Sequence, residues 1–304
     1  GSLGFVMYNV FVGILQSVGD SKHPLYYLII SSIINVVLDL VFIAGFHYGV
    51  GAAALATTIS QFVSAFLCMG QLMRTKEEYR LCLRKIRFDR EMLGQIIRIG
   101  LPSGIQNSII AIANVVVQSN INAFGETAMA GCGAYSKIEG FGFLPITSFT
   151  MALTTFVGQN LGAKQEERAK KGARFGILTT VVLAELIGVL IFIFASPLTR
   201  AFDSNPEVIM YGVARARTAA LFFCLLAYSH AISAVLRGAG KSMVPMVVML
   251  ICWCVIRVTI LVVFGKLVGK IDIVYWVYPI TWGLSSIIFF IYYKKADWLH
   301  SFKE

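Results

Sequence analysis

Eight apolar stretches of about 20 residues, and a shorter one ahead of them, are strung between brief charged segments along this chain. A water-soluble domain of this size has room for one or two all-apolar core helices, not eight. In hydrocarbon no water bonds to a free N–H or C=O, so each stretch must satisfy its own backbone as a helix. The expected fold class is therefore all-α, a polytopic membrane helical bundle. A partial helix is expected over Leu3–Leu15. Full spans follow at Leu25–Phe46, Val50–Leu72, Gly100–Ala123, Ala134–Phe156, Phe175–Ala195, Tyr211–Leu236, Met243–Phe264 and Ile273–Tyr293. Pro102 suits the first turn of a helix, where its missing N–H costs little. Pro145, near Gly140 and Gly142, is expected to bend its helix.

The net charge of +10 invites a nucleic-acid reading, but the basic residues alternate between connections. Eighteen of the 26 Lys and Arg fall on one side of the expected membrane, in the connections containing Lys22, Arg74–Arg90, Lys164–Arg174, Arg237 and Lys241, and in the tail (Lys294, Lys295, Lys303). Arg200, Lys266 and Lys270 fall on the other. Such asymmetry marks cytoplasmic loops and predicts a cytoplasmic C-terminus in the cell membrane, with no nucleic acid as partner. The segment "RTKEEYRLCLRKIRFDRE" reads as an amphipathic linker. It divides the chain into residues 1–73, the linker 74–99 and a second lobe at 100–304. The six cysteines fall mostly in apolar runs and lack the spacing of a disulfide or zinc framework.

"VLRGAGKSMVP" (Val235–Pro245) contains the G-K-S of a phosphate-binding loop, but Val235 stands where the motif needs its first glycine, and no strand precedes it. An internal repeat explains it better. Shifting the sequence by 221 residues lays "LQSVGDSKHP" on "LRGAGKSMVP": Leu15 meets Leu236, Gly19 meets Gly240, Ser21 meets Ser242 and Pro24 meets Pro245. Asp20 falls on Lys241, an exchange that a helix-to-helix turn tolerates and a phosphate grip does not. Both copies lie on the positively charged side, so the repeat is parallel, with two similar bundles of about six spans each. Gly1 aligns with Phe222, which leads to the expectation of two pseudo-symmetric six-helix lobes, the first incomplete.

At this point the chain resembles the multidrug and toxic compound extrusion (MATE) family of cation-coupled efflux transporters. The carriers are "NVFVGILQSVGDSKHPLYYLIISSIINVVLDLVFI", "GVGAAALATTISQ", "IGLPSGIQ", "TFVGQNLGAKQEERAKKG" and "LRGAGKSMVP", in order along the whole chain. The resemblance implies two six-helix bundles around a cleft open alternately to either side. It also implies export of small, cationic or amphiphilic compounds in exchange for H+ or Na+, with no other cofactor, by a protein that works as a monomer when full length.

An ionisable residue inside a span is a functional candidate by default. Asp39 has Asn35 one turn away on the same helix, and Thr57 on the next helix reaches a similar depth. A carboxylate, an amide and a hydroxyl together supply the oxygen ligands a proton or Na+ site needs. The family resemblance implies the same three residues as the cation site, completed by an acid on a first helix not found in this chain. The rival reading is a polar cluster that only holds helices together. Acids that other members carry on the seventh and tenth helices have no counterpart in Gly100–Ala123 or Leu221–Leu236. Glu185 and Arg257 are candidates for a structural ion pair. Glu139 and Lys137 are expected near the outer end of their span, in reach of water, and His230 as a packed polar residue. Tyr135, Phe141 and Phe143 are candidates to line an outer cleft, with lipid-facing positions the default expectation. Gly158 and Gly162 are expected to make the turn in "GQNLGAKQEERAKKG". No nucleophile–base set is assembled, so no enzyme is expected. The alternatives are a lipid-linked saccharide flippase of related architecture and a fragment that transports nothing.

Overall fold

The computed structural model of the chain describes residues 1–46 and 49–299, and within these all side chains but those of Lys266 and Val268. Lys303, counted above in the basic tail, lies outside the described residues. Among them there is no strand. Seven helices among the described residues are long and apolar enough to cross a membrane, and a bent pair counted as one span makes an eighth. Contacts divide the chain into two compact units, Gly1–Asp89 and the remainder from Arg90.

The first unit holds α1 (Ser2–Ser17), α2 (Lys22–Asp39, continued by a π-helical segment over Leu40–Gly45) and α3 (Val50–Arg74). Both α1 and α2 pack on α3. Its small core is Leu15, Cys68 and Leu72. The linker contributes to it: Tyr79 and Leu81 pack against these residues, and the Leu81 N–H donates to the Leu72 carbonyl at 2.9 Å. The apolar side chains of α2 are largely uncovered within the unit, Ile33 at 59% and Val36 at 57% exposure. Water would penalise that face heavily, whereas hydrocarbon does not.

The second unit holds α4 (Arg90–Asn122), α5 (Glu126–Gly162), α6 (Glu166–Ile193), α7 (Ala195–Arg200), α8 (Pro206–Ala220) and α9 (Phe223–Gly238). It continues with α10 (Met243–Met249), a π-helical segment over Leu250–Ile256, α11 (Arg257–Val268) and α12 (Asp272–Lys295). The main core joins α5, α6, α8, α9 and α12. Small residues set the approach of these helices. A Cβ on Gly131 would lie 2.5 Å from the Val208 carbonyl oxygen, and one on Gly238 2.6 Å from that of Thr154. Close backbone contact of this kind is how membrane helices gain dispersion energy when lipid is as apolar as they are. A polar strip adds to it: Ser229 Oγ lies 2.8 Å from Ser285 Oγ and 3.0 Å from Ser286 Oγ, and Trp253 Nε1 donates to Ser285 Oγ at 3.0 Å.

The 221-residue repeat reappears in the element boundaries. Helix α1 shifted by 221 is α9 to the residue, and Lys22, which opens α2, lands on Met243, which opens α10. The turns match as well. Gly19 and Gly240 both take positive φ, 87° and 77°. In one turn Gly19 N bonds to Gln16 O and Asp20 N to Leu15 O; in the other Gly240 N bonds to Arg237 O and Lys241 N to Leu236 O. Both are helix C-terminal closures of the Schellman type, which need a left-handed residue. So the G-K-S is a turn between helices. Its lysine Nζ donates to the Asp297 carbonyl at 2.6 Å.

The same closure ends α5, where Lys164 N bonds to Leu161 O and Gln165 N to Asn160 O. The left-handed residue is Lys164, φ 59°, and not Gly158 or Gly162, which lie inside α5. A side chain in that conformation costs roughly 1–2 kcal/mol. Lys164→Gly is therefore expected to stabilise the protein by about 1 kcal/mol, and Gly240→Ala to destabilise it by a similar amount. Thermal unfolding in detergent measures both, and a pair of shifts of the same sign would contradict the turn geometry.

Three expectations need correction. First, α4 begins at Arg90 and runs through Pro102 instead of starting at it. Proline removes the N–H that would pair with the carbonyl four residues back, that of Arg98. Ser242 Oγ donates to this carbonyl at 3.2 Å, so the serine of the G-K-S satisfies the group the proline orphans. Second, the linker is helical from Arg90 onward and mostly irregular before it. Third, Tyr211–Leu236 is not one continuous span: α8 and α9 meet at a 55° bend over Leu221–Phe222. Helix α5, by contrast, is unbroken through Pro145.

Candidate functional site

Asn35 and Asp39 lie one turn apart on α2, both half-buried. Asn35 Nδ2 and Asp39 Oδ1 are buried without a hydrogen-bond partner. Directly after Asp39 the helix widens into the π-helical segment, a local distortion frequent at functional positions. Thr57 is placed differently. Its hydroxyl donates to the Ala53 carbonyl at 2.9 Å. It faces a shallow groove between α1 and α3 lined also by Ser2, Phe5, Thr58 and Gln61. The structure thus brings Asn35 and Asp39 together on one strip, with no hydrogen bond from Thr57 to either.

The second unit contains a cavity of about 470 Å³ among α4, α5, α8, α9, α11 and α12 and the π-helical segment before α11. Asn107, Asn114 and Gln118 line it from α4, Glu139 and Phe143 from α5, and Arg215 from α8. His230, Trp253, Arg257, Tyr278 and Trp282 complete the wall. Arg215 and Arg257 are buried, at 4% and 2% exposure. Both guanidiniums sit over the Tyr278 ring, 5.3 and 4.5 Å from its centroid. Arg257 donates through Nε and Nη2 to Thr281 Oγ1 at 3.3 and 2.9 Å. Arg215 Nη2 reaches the Tyr278 hydroxyl at 3.4 Å, and Nη1 is buried without a partner. His230 packs edge-on against Phe143 and Trp253. Among the described residues no group of His, Cys, Asp or Glu side chains is arranged to hold a metal ion.

The MatE family profile matches residues 102–263, more than half of the chain. This chain belongs to the MATE family. Over 298 residues it is 26% identical to the probable multidrug resistance protein YpnP of Bacillus subtilis, covering 98% of this chain and 66% of that protein. Over 270 residues it is 28% identical to the probable multidrug resistance protein NorM of Thermotoga maritima, covering 88% of this chain and 58% of that one. Among solved structures, an outward-facing MATE family transporter of the MOP superfamily matches with TM-score 0.86 at 25% identity, over 94% of this chain and 65% of its own. The MATE chain described here thus spans less than two thirds of the length of these relatives.

Within this MATE chain, the ion pair expected between Glu185 and Arg257 does not form. Glu185 Oε2 accepts from the Cys224 N–H at 2.9 Å, capping the start of α9 just past the bend, where the break leaves N–H groups unpaired. Arg257 is held by Thr281 and two aromatic rings instead. Glu139 is half-buried on the cavity wall. It shares that wall with Arg215 and Arg257 without forming a salt bridge to either. Of the three aromatics placed toward a cleft or, by default, lipid, Phe141 is exposed, Tyr135 is buried and Phe143 lines the cavity. Arg215 was not singled out from the sequence. Arg217, two residues on, is exposed over the Phe192 ring. Only the helix phase separates these two arginines, and "ARART" does not reveal which faces inward.

Proposed function

We propose that this protein is a secondary active efflux transporter of the cell membrane. It is an antiporter that exports small amphiphilic compounds in exchange for H+ or Na+, with its C-terminus in the cytoplasm. The observation that carries the reading is the half-buried Asn35–Asp39 pair on a membrane helix, with Asn35 Nδ2 and Asp39 Oδ1 each buried and without a hydrogen-bond partner. A carboxylate in hydrocarbon is costly, and structural economy alone gives no reason to retain it. Cation occupancy neutralises it, so occupancy and conformation are linked. The names of the B. subtilis and T. maritima relatives support multidrug export, and a lipid-linked saccharide flippase is the less supported alternative. Asn35 and Asp39 are the proposed coupling pair, with Thr57 a lesser contributor. The expected cationic character of the substrate fits the second unit poorly, because two guanidiniums and one carboxylate line its cavity. The test is efflux of a fluorescent amphiphile from cells expressing the protein, with the proton and sodium gradients collapsed separately. Export should stop with one of the two, and export indifferent to both rules out antiport.

A further inference from the structure

We propose that the cavity of the second unit binds an aromatic organic anion, a planar ring system carrying a carboxylate or phosphate. The inference deepens the transport reading by naming a substrate class. It rests on that reading for its role in export, though not for the binding itself.

Charge argues first. Arg215 and Arg257 are both nine-tenths or more buried, and both line the cavity. They share one ring, Tyr278, so their like charges stand close together in a low-dielectric setting. Glu139 is the carboxylate in the wall, and it forms a salt bridge with neither. Buried charges are ordinarily paired and hydrogen-bonded. Here the Arg215 Nη1 donor has no partner. Both arginines line the cavity, and a guanidinium with a donor left unsatisfied by the protein suits carboxylate or phosphate oxygens.

Shape and polarity argue second. Phe143, Trp253, Tyr278 and Trp282 give the cavity flat apolar walls, suited to stacking a ring. Asn107, Asn114 and Gln118 project from α4 and offer amide groups that fix orientation. Rigidity argues third. Arg257 is held by two hydrogen bonds to Thr281, and Trp253 by its bond to Ser285, so the site is organised before a ligand arrives.

The experiment is calorimetric titration of the purified chain in an uncharged detergent with three probes of one shape: 1-naphthyl phosphate, 1-naphthol and 1-naphthylmethylammonium. The phosphate should bind at least tenfold more tightly than either of the others. Arg215→Gln and Arg257→Gln should each remove most of that preference. Arg215→Lys, which keeps the charge without the fork, should fall between. Glu139→Gln, which removes the opposing charge, should tighten phosphate binding several-fold, and it gives a readout if the arginine variants fail to fold. Equal binding of the three probes, tighter binding of the ammonium, or a preference unchanged in Arg215→Gln and Glu139→Gln overturns the proposal. So does a short-chain phosphatidate that binds as tightly as naphthyl phosphate, which would make this a lipid-headgroup site. Anion preference without gradient-driven export would sink the transport reading and leave the site. Export without anion preference would sink the site and leave the transport reading.

Discussion

Asp39→Asn is expected to abolish gradient-driven export while leaving the protein folded and inserted. The substitution is close to isosteric. Asp39 Oδ1 has no hydrogen-bond partner, so no internal bond is broken by the exchange. What is lost is a charge that a cation can neutralise. A ligand shifts a conformational equilibrium only as far as its affinities for the two states differ. An amide at position 39 takes up no proton and holds Na+ weakly, so the gradient no longer biases the protein. The measurement is efflux of a fluorescent amphiphile, with membrane abundance and gel-filtration profile as controls. Undiminished export from a normally abundant variant removes Asp39 from the mechanism. The neighbouring positions sharpen the test. Asn35→Ala should reduce export strongly. Thr57→Ala should reduce it little, because the Thr57 hydroxyl bonds within its own helix and faces the α1–α3 groove.

The second large effect concerns packing. Gly131→Ala is expected to destabilise the protein by about 2–3 kcal/mol, as overpacking against an unyielding neighbour does. The added Cβ would meet the Val208 carbonyl oxygen at 2.5 Å, Tyr211 Cβ at 2.8 Å and the Gly212 nitrogen at 2.9 Å. Two of these are backbone atoms of α8 and cannot rotate aside, so α5 and α8 must separate. Glu139 rides on α5 and Arg215 on α8, so the cavity wall shifts with them. Gly133, on the same helix, is the matched control: nothing lies within 4 Å of its Cβ position. Gly133→Ala should stabilise by about 0.5–1 kcal/mol through the lower flexibility of alanine. Thermal unfolding of the two variants in detergent separates the cases. A Gly131→Ala protein as stable as Gly133→Ala would show that the two helices are not held at backbone contact.

Periodic features were legible in the sequence wherever one residue type carries one physical meaning. Long apolar runs became membrane-length helices because a lipid-exposed backbone has few alternatives. Gly19 and Gly240 became matched left-handed turns because glycine takes that conformation without strain. The third such turn was misplaced, since lysine rarely occupies the position and two glycines stood nearby. The bend at Leu221–Phe222 was also invisible: no proline or glycine marks it, and Glu185, from a helix some forty residues away, caps the freed end. The role of Ser242 was equally out of reach, since its acceptor, the Arg98 carbonyl, is made available by Pro102 on another helix.

By itself the sequence determined that this chain is a repeated bundle of membrane helices, and it singled out Asn35 and Asp39 on one strip of α2. Those conclusions need only hydrocarbon solvation and a helix period of 3.6 residues, which act locally. Tertiary structure alone decided which arginine of "ARART" is buried, what Arg257 bonds to, and that Glu139 faces a cavity. These depend on where distant helices meet, and the contacts that fix them lie between residues tens of positions apart along the chain.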